Sequence, residues 1–229
     1  SVLLLDAANR LELAGGGEHA VAVLAEAVRR ASYNTPLFRR LVATTSHVSD
    51  GLGDRERQGA MDRLVISLSL ELLGSSDVHP KEILEALQLS SGARSHGERI
   101  LAGILSAPDL STALFIEMLE SLHGQFPRRA RVAATDALGG SVDLEEVTLA
   151  RARVLRLAGF STQSHSLASS LVDHPADGSQ ACVLLGLLAQ ESRPRDADAA
   201  KSWFQEAIRR SSVPDVMARG KYRHWDKLI

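Results

Sequence analysis

The sequence predicts an all-α fold of antiparallel helical hairpins stacked as an α-solenoid, irregular in its middle, and three observations carry that expectation. Residues 185–208 read as two short helical patterns joined by a polar turn, with small residues where the helices would touch. Such a unit cannot bury its apolar face alone and needs stacked neighbours. Aromatic residues make up 4% of the 229, against 45% hydrophobic residues rich in Ala and Leu, a balance that suits closely packed helices better than a β-sandwich. No β-branched alternating run lies between paired turn signals, so no strand is expected.

The first hairpin covers residues 2–31. Leu4, Ala7, Ala8 and Leu11 fall on one helical face, and Ala20, Leu24, Ala27, Val28 and Ala31 recur at helical spacing after Gly15, Gly16 and Gly17. Those glycines supply the positive φ that ends a helix and reverses the chain. Tyr33, Asn34, Thr35 and Pro36 break the pattern, Leu37, Leu41 and Val42 begin a short helix, and 46–54 reads as a polar connector. Met61, Leu64, Val65, Leu68 and Leu72 give residues 55–73 a buried face opposite a solvated one of Arg55, Glu56, Arg57 and Asp62. Pro80 suits a first helical turn, where its missing N–H needs no partner, and Ile83, Leu84 and Leu87 form the buried face behind it. Residues 92–97 read as a break.

Ile100, Leu101, Ile104 and Leu105 precede Pro108, and Leu110, Leu114, Met118, Leu119 and Leu122 follow it, so Pro108 and Asp109 are expected to start a helix. Pro127 repeats the device before Val132 and Leu138. Gly139, Gly140 and Ser141 turn the chain, and Asp143 with Glu146 is expected as a reciprocal cap for the helix carrying Leu149, Val154 and Leu155, which Gly159 ends. Residues 161–172, with Leu167, Ala168 and Leu171, are its return partner, and 174–178 turn again. The second clear hairpin is 180–210, where Asp196 and Asp198 before Ala199 and Ala200 read as a cap that complements the helix dipole. Residues 1–212 are thus expected as one repeat-like domain, and 213–229 as a C-terminal tail or a linker to a following domain.

These hairpins resemble the tetratricopeptide repeat family and its Sel1-like relatives, whose units carry a small-residue pair in the first helix and an Ala, aromatic, Ala series in the second. Leu185 with Gly186 is similar to the first-helix pair, and Ala200, Phe204 and Ala207 stand at the second-helix spacing. Trp203 beside Phe204 resembles the Trp-Tyr pair common in Sel1-like units. At the other end Ala7 with Ala8, Leu11, Ala20, Leu24 and Ala27 keep the tetratricopeptide register, with Leu24 in place of the usual aromatic and Ala8 in place of the usual Gly. The spacing from Gly186 to Ala200 is longer than the tetratricopeptide pattern and shorter than the Sel1-like one. The resemblance covers the two ends and leaves the middle without a repeat period. It implies repeat-packing roles for Ala8, Ala20, Leu24, Ala27, Leu185, Gly186, Ala200, Trp203, Phe204 and Ala207, and stacked helices that present a concave surface.

Chemistry is sparse. Lys and Arg number 26 against 28 Asp and Glu, a net charge of -2, so no overall field draws the chain onto nucleic acid or an anionic membrane. Cys182 is the only cysteine, which excludes an intrachain disulfide or a multi-cysteine zinc site; it reads as a buried structural thiol in a reducing, cytoplasmic setting. No apolar run reaches the roughly 18 residues of a membrane span, and the opening residues lack the basic front of a signal peptide. The chain begins without Met inside an apolar pattern, which suggests a piece of something longer.

His96, Gly97 and Glu98 match the His-x-Glu of zinc deaminases, but the cysteine pair is missing and a solvated loop is the expectation. The eight histidines are scattered, with no His-Glu-x-x-His pair on one helix face. Gly15, Gly16 and Gly17 lack the preceding strand and following Lys-Ser/Thr of a phosphate cradle. No catalytic, metal or cofactor-binding residue is therefore assigned, and no cofactor is expected. Arg128, Arg129, Arg131, Arg151, Arg153 and Arg156 read as a solvated face, with phosphate or an acidic partner as the functional alternative. In the tail, Tyr222, Arg223 and Trp225 suit docking onto a neighbouring domain more than stacking on nucleic-acid bases.

The function expected is a non-catalytic interaction or scaffold domain whose concave helical surface takes a protein or peptide, or neighbouring domains of the same polypeptide. The alternatives are an accessory or spacer domain of a larger multidomain enzyme, such as a polymer-processing transferase, and a helical hydrolase or lyase with a site assembled from scattered His and acidic residues.

Overall fold

The computed structural model describes residues 2–31, 35–51, 55–74, 78–87, 96–141, 144, 148–192 and 194–211, and among these the regular elements are twelve α-helices and one π-type turn, with no strand. The all-α expectation therefore holds. No helix of the described residues is long and apolar enough to cross a membrane. The chain groups into two compact units, Ser1–Gln125 and Phe126–Ile229, where the sequence reading draws one array over 1–212. Residues 213–229 lie outside the described residues.

The first unit holds α1 (Val2–Leu13), α2 (Gly17–Arg30), α3 (Thr35–Gly51), α4 (Arg55–Gly74), α5 (Pro80–Ala86), α6 (His96–Leu105) and α7 (Thr112–Gln125). Helix α1 ends in a Schellman motif: Gly15, at φ 76°, donates to the Glu12 carbonyl at 3.1 Å and Gly16 to the Leu11 carbonyl at 2.8 Å. The turn lets α2 pack on α1, and α3 packs on α2 in its turn. Ala20, Val21, Leu24, Ala25, Ala27 and Val28 make the buried face of α2. Around it, α4 lies against α3 and α6, and α5 against α3 and α7.

Three boundaries in this unit differ from the sequence reading. Helix α3 runs on through residues 46–51, read as connector, because packing against α4, α5 and α6 covers its polar face. Thr45 is buried with its hydroxyl donated to the Leu41 carbonyl at 2.7 Å, and Gln58 Nε2 donates to the Ser49 carbonyl at 2.9 Å. His96 and Gly97 belong to the first turn of α6, where the missing Gly97 side chain lets the backbone lie against the Leu87 carbonyl. Pro108 sits in a β-turn that Leu110 N–H closes onto the Ala107 carbonyl at 3.1 Å, and α7 begins at Thr112, with Ser111 Oγ accepting from Leu114 N–H at 3.3 Å. Proline presets the turn here, and the hydroxyl starts the helix. Pro80 behaves as expected: it opens α5, with His79 Nδ1 accepting from Lys81 N–H at 3.1 Å.

The second unit holds α8 (Pro127–Asp136), the π-type turn Ala137–Ser141, α9 (Leu149–Ala158), α10 (Ser161–Ser170), α11 (Gly178–Glu191) and α12 (Ala197–Arg210). Helix α9 packs on α8, α10 and α11, and α11 also on α10 and α12. The buried side of α8 is Ala130 and Ala134, continued by Ala137, while Val132, expected inside, is 62% exposed. Three small residues thus take the buried side of this segment. Asp143 and Glu146 lie outside the described residues; the side chain that caps α9 is Thr148, accepting from Arg151 N–H at 3.2 Å. Gly159, at φ 91°, ends α9 with the same Schellman pair as α1, its own N–H to Arg156 and that of Phe160 to Leu155.

Ala152, Ala168, Leu184, Leu185 and Leu188 form a buried cluster shared by α9, α10 and α11, with Leu149, Leu167, Val172 and Trp203 packed against it. Each large apolar side chain enclosed there contributes about 1.5–3 kcal/mol. Ser164, fully buried, donates to the Ala152 carbonyl at 2.7 Å and so ties α10 to α9. Cys182 is also fully buried, and desolvation pushes its thiol pKa up although Arg210 lies near enough to oppose the shift. Asp196 caps α12 as the sequence predicts, accepting from Ala199 N–H at 2.9 Å. At its other end Arg210 donates to the Val172 carbonyl at 2.5 Å and to Asp173 at 3.1 Å, which fastens α12 to the end of α10.

Gly186 meets the ring of Phe204, and an added Cβ would overlap that ring. Gly186→Ala is therefore expected to destabilise the second unit: overpacking costs about 1–3 kcal/mol, more than the roughly 1 kcal/mol that Ala gains over Gly in a helix. In a Phe204→Leu background the same change becomes neutral or stabilising. Urea unfolding of the four-protein cycle measures the coupling, and additive effects would refute the contact.

Hydrogen bonds from Arg209 and then Arg210 hold the Glu206 carboxyl down from an ordinary 4.5 to about 2. A folded-state pKa below the unfolded one adds stability that is fully present above pH 4.5 and withdrawn as pH falls toward 2. Glu206→Gln is expected to flatten the pH dependence of the melting temperature inside that window alone, and less so at high salt. An unchanged acid slope would count against the assignment.

Candidate functional site

Helices α1 and α3 both pack on α2, and their polar side chains meet beside it. Thr44 Oγ1 of α3 donates to Glu12 Oε1 of α1 at 2.7 Å, and Arg40 Nη2 reaches Glu12 Oε2 at 3.2 Å and also bonds Asn9 Oδ1. This bridge holds α1 to α3. Next to it lies an open groove of about 1020 Å³, lined by Leu13, Ala43, Val48, His47 and the bare backbone of Gly15 and Gly17. At one end α2 starts close against α3, since a Cβ on Gly17 would stand 2.6 Å from Val48 Cγ2. Leu13, 90% exposed, forms part of the rim, as does Glu18, whose carboxylate lies 3.3 Å from Arg57. The groove thus offers aliphatic surface for a side chain, with glycine at positions 15 and 17 of its lining.

A second polar cluster joins α3, α4 and α6. His96, 4% exposed, brings Nδ1 to 3.1 Å from Asp62 Oδ1, a close polar approach without good hydrogen-bond alignment. Arg99 donates to Asp62 Oδ2 at 3.0 Å and to Ser49 Oγ at 3.3 Å. The solvated loop expected at His96, Gly97 and Glu98 is therefore the first turn of a packed helix. With its imidazole enclosed between helices, His96 links elements and has no solvent-facing reaction space. Among the described residues no three His, Cys, Asp or Glu side chains converge as metal ligands.

The residues singled out for repeat packing fall into two separate sets. Ala8, Ala20, Leu24 and Ala27 are buried in the first unit; Leu185, Gly186, Ala200, Phe204 and Ala207 are buried in the second, with Trp203 half-buried. Buried positions of this kind suit contacts between helices. Tyr222, Arg223 and Trp225 lie outside the described residues. The six arginines do not share one environment. Arg128 and Arg131 are exposed; Arg151, Arg153 and Arg156 are half-buried, and Arg156 reaches Glu191 at 2.6 Å. Burial on α9 replaces the solvated face expected there, because α11 brings Glu191 over it.

Sequence reasoning missed the groove because Asn9, Glu12, Arg40 and Thr44 look like ordinary exposed polar residues. The one available signal was spacing: Asn9 and Glu12, three apart on α1, and Arg40 and Thr44, four apart on α3, each share a helix face. Compared with known proteins, the chain matches no family model, no curated protein and no solved structure.

Glu12→Ala removes the acceptor shared by Thr44 and Arg40, all partly exposed, at a cost of about 0.5–1.5 kcal/mol. Hydrogen exchange is expected to accelerate in α1 while α6 amides keep their protection. Equal protection of α1 in both proteins would show that the bridge does not hold it.

Proposed function

We propose that this chain is a non-catalytic interaction domain that takes a peptide in the groove between α1 and α3. The observation that supports the reading is the position of that groove: two helices separated by one intervening helix lie side by side and leave an opening between them. In stacked helical hairpins, alternate helices line one concave surface, and the resemblance of residues 2–31 to a tetratricopeptide unit points the same way. The groove combines Leu13 on its rim with Ala43 and Val48, aliphatic surface for an anchoring side chain, beside the carboxylates of Glu12 and Glu18 that Arg40 and Arg57 already hold. The Thr44 hydroxyl is already donated to Glu12, a carboxylate that Arg40 also holds, so the polar groups there serve as a scaffold and not as a nucleophile with a free base.

Peptides selected against the whole chain from a random display library test this. Ala43 is exposed on α3, so Ala43→Trp fills the groove without disturbing the core. The selected peptides are expected to lose about tenfold or more in affinity, roughly 1.4 kcal/mol, at an unchanged melting temperature. Peptides that bind the filled groove as well as the open one would refute the reading.

A further inference from the structure

The second unit carries a surface of different chemistry. Between residues 126 and 170, Arg128, Arg129, Arg131, Arg151, Arg153 and Arg156 face one acid, Asp136, among the described residues, and the stretch stays net cationic when Asp143, Glu145 and Glu146 of the undescribed link are counted. Its charge is unevenly used. Arg156 is paired with Glu191, Arg129 lies over the Phe126 ring at 5.0 Å, and Arg151 reaches the Leu144 carbonyl. Arg128 and Arg131 are exposed on the outer face of α8, and neither guanidinium is paired with a carboxylate among the described residues.

Exposed apolar surface accompanies them. Val132, 62% exposed, stands one turn on from Arg128 and beside Arg131. The Arg131 side chain extends to the end of α9, where its guanidinium passes 3.4–3.5 Å from the position a Gly159 Cβ would take. The next residue, Phe160, is 45% exposed. Two exposed cations thus stand beside a valine and a phenyl ring, with Ala130, Ala134 and Ala137 buried on the opposite side.

We propose that the outer face of α8, with the α9–α10 turn beside it, is a docking surface for an acidic amphipathic peptide segment. The charge asks for carboxylates, which planar guanidinium forks pair two-pronged, and Val132 with Phe160 asks for apolar side chains between them. Nucleic acid fits less well. Two open guanidiniums neutralise too few phosphates for binding driven by counterion release, and one ring gives no platform for successive bases.

The test is fluorescence anisotropy of a labelled helical peptide carrying Glu and Leu on one face, titrated with the full chain. Saturable binding is expected, weakened at least about tenfold by R128E with R131E and several-fold by Val132→Ser, all at solvent-exposed positions that leave the melting temperature unchanged. Ala43→Trp, which fills the groove of the first unit, is expected to bind this peptide normally, so the two surfaces fail independently. The proposal is overturned by absent binding, by binding that ignores the charge reversal, or by oligothymidylate or phosphatidylserine vesicles that bind more tightly through the same arginines.

Discussion

Helices of ten to fourteen residues are marginal on their own, and what holds them here is the close approach of one helix's backbone to its neighbour's atoms. That closeness is set by missing side chains. At Gly186 the ring of Phe204 fills the space a Cβ would need; at Gly97 the carbonyl of Leu87 does; at Gly17 a valine does. Alanine lines α8 and much of α2 for the same reason. Dispersion falls off steeply with distance, so a lattice of small residues gains contact from many atoms that larger side chains would have spaced apart.

Small residues set how close helices come but say little about register, since a smooth face can slide. Polar groups supply that second constraint. Ser164 donates across to a carbonyl of α9, Arg210 reaches the end of α10, and Glu12 collects Thr44 and Arg40 from α3. A buried donor or acceptor without its partner costs more than a satisfied one gains, so each such bond penalises displaced packings. The groove between α1 and α3 follows from both constraints together. Its end is tight because residue 17 is glycine, and its wall is held by the carboxylate of Glu12.

Sequence patterning carried the helical class and most helix positions, because apolar spacing and chain-reversing glycines act locally. Gly15 and Gly159 end helices as their sequence context predicts, and Asp196 caps α12. What was illegible depends on contacts distant in sequence. Ser49 reads as a connector residue, yet hydrogen bonds from Gln58 and Arg99 place it in a helix. Val132 reads as core but points out, with Ala130, Ala134 and Ala137 taking the buried side instead. Pro108 fits a helix start and a turn equally well until Ser111 settles which one forms. The groove was harder still, since its defining atoms are ordinary polar side chains and glycine backbone, and only the juxtaposition of α1 and α3 makes them a site.

The single thiol of the chain lies wholly within α11, fully enclosed and with its ionisation suppressed by burial. It is consequently a built-in clock for one half of the molecule. A thiol-modifying reagent reaches Cys182 only when the second unit opens, and the first unit has no cysteine to confuse the signal. When reclosing is fast, the labelling rate reads the opening free energy of the α11 neighbourhood directly, under conditions where the rest of the chain stays folded. Occupancy of the second unit's surface can then be followed without a probe attached to it, because a ligand that favours the closed form slows the clock.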